Sequence, residues 1–156
     1  MGRRTPAGWL LVPAAAAALS LGIAGCGGSD DGGSGGALSK AEFIRQADAI
    51  CKKATDQGKA AVDKLLPEDS HQPTDAQLRR VGDIAADSYR HQADRIDALA
   101  APSSISDDVS TMLADLRRAA NRIDDANEKA FDADAPDYLA DAAKDAKALG
   151  FKECGA

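Results

Sequence analysis

From residue 38 onward, apolar positions recur at helical spacing and polar residues fill the places between them. The first run is Phe43, Ala47, Ile50, Ala54, Ala61 and Leu65, with Ile44, Cys51, Val62 and Leu66 beside it. A helix start precedes it. Ser39 is an N-cap, Glu42 three residues on completes a capping box, and Leu38 is placed to staple onto Phe43. Pro67 lies just past the predicted end. Glu68 to Pro73 reads as a polar loop, and Thr74 with Gln77 forms a second capping box. Leu78, Val81, Ala85, Tyr89, Ile96 and Leu99 mark a second helix that Pro102 ends. The third opens near Ser103 to Ser106 and carries Ile105, Val109, Met112, Leu116, Ala119, Ile123, Ala126 and Ala130. A fourth, shorter helix is expected after Asp134, with Pro136 in its first turn and Tyr138, Leu139, Ala142, Ala146 and Leu149 inward. Gly150 then serves as the glycine beyond the helix end, and Phe151 as the hydrophobic contact after it. No strand-like alternation competes. The expected fold is all-α, an antiparallel four-helix bundle with short loops over residues 38–156.

The first 37 residues have a different pattern. Arg3 and Arg4 form a short positive region, and Trp9 to Ile23 is almost wholly apolar. At about fifteen residues that run is short for a membrane span and suits the apolar part of an export signal. It ends in Ile23, Ala24, Gly25 and Cys26, which resembles the lipobox of bacterial lipoproteins: a branched residue, two small ones, then cysteine. Small side chains let a signal peptidase approach the backbone, and the thiol carries the diacylglycerol. Residues 1–25 are therefore expected to be a cleaved signal, with Cys26 the lipidated N-terminus of the mature chain. The alternative is an ordinary secreted protein with an incidental cysteine. Arg3-Arg4 also admits a twin-arginine route, but Thr5, Pro6 and Ala7 follow the pair where apolar residues are usual, which favours general secretion. Residues 27–37, rich in glycine and serine, read as a tether with an r.m.s. span of roughly 18 Å.

Charge and cysteine count sharpen this picture. Removing Arg3 and Arg4 with the signal leaves 17 basic and 25 acidic residues, a net charge of −8. The acids are dispersed, which argues against nucleic acid as a partner and against electrostatic adhesion to anionic lipid. Membrane attachment then falls to the acyl chains on Cys26, and two or more chains suffice for a stable anchor. Three cysteines become two once Cys26 is lipidated, and in an oxidising, exported setting Cys51 and Cys154 are expected to pair. The alternative is two separate buried thiols. A metal site is the poorer reading, because two thiols without a nearby histidine lack the usual four ligands.

Candidate chemistry is sparse. His91 has Asp87 four residues before it and Asp94 three after, so the three can share a helix face as a weak metal site or a pH-sensitive pair. The plainer account is a histidine on a solvated, charged face beside Arg90 and Arg95. His71 falls in the polar loop with no activating neighbour. Asp132, Asp134 and Asp137 suggest a calcium loop, but the glycine at loop position six is missing and Ala143 stands where a glutamate belongs. Helix capping accounts for them better. No nucleophile elbow, zinc-protease pair or phosphate-binding loop is present, and five aromatic residues beyond the signal are thin material for stacking a ligand. The expectation is no catalytic residue, no metal and no cofactor. What remains is a lipid-anchored protein on the extracytoplasmic face of a cell membrane, most simply a helical interaction module that meets an envelope protein partner. The competing reading is a bundle that binds or senses a small ligand.

The stretch Leu38 to Cys51, an opening helix that carries a cysteine, and the ending Gly150 to Gly155, with Cys154 followed by glycine, resemble a group of small exported proteins. These are uncharacterised lipoproteins of high-GC Gram-positive bacteria. The resemblance is specific at both ends and loose between them. It implies a helical fold and supports the Cys51–Cys154 bridge, and it carries no activity and no functional residues.

Overall fold

The structure, a computed structural model, describes residues 38–66 and 72–154. The signal, Cys26, the tether and the loop residues 67–71 with His71 lie outside the described residues, as do residues 155–156. Within them the fold is all-α. Helix α1 spans Lys40–Leu65, α2 Asp75–Asp97, α3 Ser106–Ala126 and α4 Ala140–Leu149, with a 3-10 turn at Asn127–Phe131.

Cross-helix pairs establish the packing. The Gln77 side-chain amide donates to the Leu65 carbonyl at 3.3 Å, while Gly58 lies opposite Ser88. Arg79 reaches Glu128, Arg90 reaches Asn121 and Asp124, and Arg117 reaches Asp94 and Asp97. In each series one number falls as the other rises, so α1, α2 and α3 run antiparallel in turn. The start of α3 lies beside the end of α4, where Ile105 and Asp108 share a cleft with Asp145 and Leu149. The main core joins Phe43, Cys51, Ile96, Met112, Leu113, Leu149 and Phe151, and a smaller cluster gathers Ala86, Ala120 and Ile123. Burying each large apolar side chain contributes about 1.5–3 kcal/mol relative to exposure. Phe43, Ile96 and Leu113, at 0–1 % exposed, therefore anchor the fold.

Helix ends depart from the sequence expectation in four places, one being α2, which ends at Asp97 short of Leu99 and Pro102, with Ala100 at φ 54° beyond it. At α1, Ser39 Oγ accepts the Glu42 N–H at 3.3 Å, but the Glu42 carboxylate turns to Arg45 and Gln46 instead of closing the box. At α2 the Thr74–Gln77 box is complete. Helix α3 stops at Ala126, not Ala130, because Asn127 adopts φ 53° and the chain tightens into the 3-10 turn. Helix α4 starts at Ala140, so Pro136 precedes the helix instead of lying in its first turn. Residues 132–139 form turns: the Ala135 N–H donates to the Asp132 carbonyl, and the Leu139 N–H to the Asp137 carboxylate. The end of α4 matches expectation. Gly150, at φ +99°, gives its N–H to the Lys147 carbonyl at 3.2 Å, and Phe151 gives its own to Ala146 at 3.0 Å.

The inward stripe of α2 also differs from the one the large residues suggest. Its buried positions are Gly82, Ala86, Gln92, Ala93 and Ile96, while Val81, Ala85 and Tyr89 line the flanks. Small residues at the centre let α3 and the 3-10 turn come close; a Cβ on Gly82 would stand 3.7 Å from the Phe131 ring.

Candidate functional site

The most constrained region beyond the core is the C-terminal tail, which is fastened onto the first half of α1. Cys51 is buried on α1 and is disulfide-bonded to Cys154, with their Cα atoms 5.2 Å apart. One helical turn before Cys51, the Asp48 carboxylate accepts consecutive backbone N–H groups of the tail. Lys152 donates at 3.0 Å, Glu153 at 2.9 Å and Cys154 at 3.4 Å. Successive N–H groups curled around an anion form a nest, here filled by the protein's own side chain. Phe151 follows Gly150 into the core and meets Phe43 edge to face, with ring centroids 6.2 Å apart. Covalent, ionic and aromatic ties thus converge within a few residues. Asp48 was not singled out by the sequence. The one available signal is its position three residues before Cys51, which puts both on one helix face.

The expected lipid site, Cys26, lies outside the described residues. The three candidate residues around His91 are not brought together as a site. Asp87 pairs with Arg90, and Asp94 turns across to Arg117. His91 is exposed and faces the opposite way, along the seam with α1, where Lys53 and Arg95 join it. In the stretch read as a calcium-loop candidate, Asp132 and Asp137 accept backbone N–H groups in turns. No group of three or more His, Cys, Asp or Glu among the described residues could hold a metal ion.

Electrostatics follow the same economy. Arginines on α2 and α3 knit those helices together: Arg90 to Asp124 at 2.8 Å and Arg117 to Asp94 at 2.9 Å. The hydrogen bonds these guanidinium groups donate to the carboxylates raise both arginine pKa values. Such exposed pairs contribute little stability each and mainly set register. Arg45 and Gln46 hold the Glu42 carboxyl below its ordinary range by hydrogen bonding. Burial pushes the Tyr89 phenol upward, and the nearby Asp137 charge adds to this.

Two open clefts among the described residues follow the seam between α1 and α2. One of about 210 Å³ runs between α1 and α2 past Gly58, Val62, Ile84 and Tyr89. A second, of about 300 Å³, lies on the other flank of the same pair, at Ile50, Lys53, Gln57, His91 and Arg95. No helix among the described residues is long and apolar enough to cross a membrane. Comparison with protein-family models, curated proteins and solved structures finds no match to this chain.

Proposed function

We propose that this chain is a lipoprotein held by acyl chains on Cys26 at the extracytoplasmic face of a cell membrane, and that its helical domain is a protein-interaction module. The observation that carries the anchor is the order of features in the first 37 residues: positive start, apolar run, Ile23-Ala24-Gly25-Cys26, then a glycine-serine tether. The Cys51–Cys154 disulfide supports export, because such bonds persist in oxidising compartments. Radiolabelled palmitate should enter the wild-type protein and be absent from Cys26→Ala; equal labelling of the two would remove the anchor.

Two features support the interaction reading over an enclosed small-ligand receptor. The clefts at the seams open to solvent, whereas receptors for small ligands bury most of the ligand surface. The tail is fastened by Asp48 and the disulfide, which gives a rigid scaffold for presenting a face. We read the domain as non-catalytic, since His91 has no carboxylate partner and the neighbouring aspartates are held by arginines. Crosslinking in the native host followed by identification of the trapped protein tests the module. A reproducible envelope partner is expected, and no trapped protein together with a small metabolite enclosed within the helical core would favour the sensor reading.

A further inference from the structure

We propose that the groove between α1 and α2 lined by Lys53, His91 and Arg95 binds a phosphate-bearing anion. The chain is acidic, with 25 Asp and Glu against 19 Lys and Arg, and its ion pairs consume most of the arginines. This groove gathers three basic side chains in one place. Its lining holds an ammonium, an imidazole and a guanidinium, and no carboxylate.

The nearest acids make their ion pairs with other cations and not with the groove residues. Asp56 on α1 is bound by Lys52, Asp87 by Arg90, and both Asp94 and Asp97 by Arg117. Neither Lys53 nor Arg95 makes an ion pair among the described residues, and Arg95 differs in this from Arg90 and Arg117 on the same helical layer. Three donors of positive or ionisable character therefore face one space of about 300 Å³, over a floor that includes Ile50.

The donor types indicate the ligand class. A guanidinium presents a planar fork that matches two oxygens of a phosphate, and an ammonium adds a point charge. The imidazole supplies a third donor in its protonated form and one N–H when neutral. The side-chain amide of Gln57 contributes both a donor and an acceptor, which suits a hydroxyl next to the phosphate. A phosphate with a short polar substituent fits this set, whether free as a phosphate ester or carried on a lipid headgroup. This site goes beyond the interaction-module reading and is tested separately from it.

The experiment uses the mature chain from residue 26 with Cys26→Ala, titrated with inorganic phosphate and with glycerol phosphate while backbone amide shifts are followed. Saturable shifts confined to Ile50–Gln57 and His91–Arg95 are expected, with affinity about tenfold weaker in Lys53→Gln/Arg95→Gln, as for loss of a charge-assisted contact. Lys147→Gln, which removes a positive charge on α4 instead, should bind like wild type. A second arm measures co-sedimentation with phosphatidylcholine vesicles containing phosphatidylglycerol. Retention that depends on Lys53 and Arg95 assigns the phosphate to a lipid headgroup, and soluble binding without retention assigns it to a free ester. Shifts spread over all basic residues, or equal binding by the double variant, would overturn the site, as would no saturable binding in either arm.

Discussion

The two halves of α1 have the same apolar spacing and very different surroundings. From Phe43 to Cys51 the helix buries Phe43, Ala47 and Cys51 against α2, α3, the end of α4 and the returning tail. Beyond Ala54 no residue of α1 is buried, and Ala61, Val62 and Leu65 are only half-covered, with α2 the one helix against them among the described residues. The cause is the length of α4. Its 10 residues run beside the first part of α3, and the chain before it is spent in the 3-10 turn and the turns at 132–139. An apolar stripe therefore declares that a helix has an inner face, while its depth of burial depends on how far the neighbouring helices extend. The fastened half buries the large side chains of α1; the open half, bordered by Gly58 and Val62, is where the proposed interaction surface would lie.

The sharpest way to break this comparison is to release the tail. The disulfide closes a loop with a sequence separation of 103 residues. Cutting such a loop is expected to cost about 4–5 kcal/mol by the chain-entropy model. Denaturant unfolding of oxidised and reduced protein, with m compared so that a change of denatured state is visible, measures the difference. Amide exchange should show the loss falling on Phe43–Cys51 and α4, with little change at Val62–Leu65, where half-covered residues are expected to exchange by local opening. Equal slowing of both halves in the oxidised protein would mean that the molecule opens as one unit.

A smaller effect comes from the ionic tie. Asp48→Ala removes the acceptor for the Lys152, Glu153 and Cys154 N–H groups, which solvent can partly replace. The expected loss is about 1–2 kcal/mol, with the disulfide intact. The disulfide should then react faster with a small thiol, because the backbone around Cys154 is no longer held. Unchanged stability together with unchanged reduction rate would show that the bridge alone orders the tail.

Much of this was legible in the residues. Ser39, Thr74 and Gly150 mark helix limits by their own backbone chemistry, whereas α2 stops at Asp97 before Pro102 is reached, and the pairing of Cys51 with Cys154 follows from a cysteine count once Cys26 is set aside. What the residues conceal depends on other segments. The buried line of α2 runs through Gly82, Ala86 and Ala93, where a small side chain signals close approach only when the opposing helix is known. Leu113, 1 % exposed, extends the α3 stripe sideways because both α2 and α4 pack on α3. Asp48 reads as one more surface acid until the tail, more than a hundred positions later, lays its N–H groups on it. The grouping of Lys53, His91 and Arg95 needed the register of α1 on α2. The stop at Ala126 depended on a positive φ at Asn127, a residue that also tolerates helical geometry.

The smallest expected effect tests the boundary between the two halves. Tyr89 packs against both core clusters, so its burial reports whether the halves stay in register. Burial, followed by the charge of Asp137, raises its pKa above the ordinary tyrosine value. The sign follows directly. Below about pH 10 the phenol is neutral in both folded and unfolded chains, and folding gains its full contribution. As pH rises past that value the unfolded chain ionises first, while the folded chain resists. Stability therefore falls with pH until the folded pKa is reached and then levels off. Tyr89→Phe removes the ionising group while keeping the ring. Comparing unfolding free energies at about pH 9 and about pH 11 should show a steeper alkaline loss in wild type than in the variant. Tyrosinate absorbance of the folded wild type should also show one phenol titrating late. Parallel losses in the two proteins would place the hydroxyl in solvent, and with it the seam between the fastened and open halves.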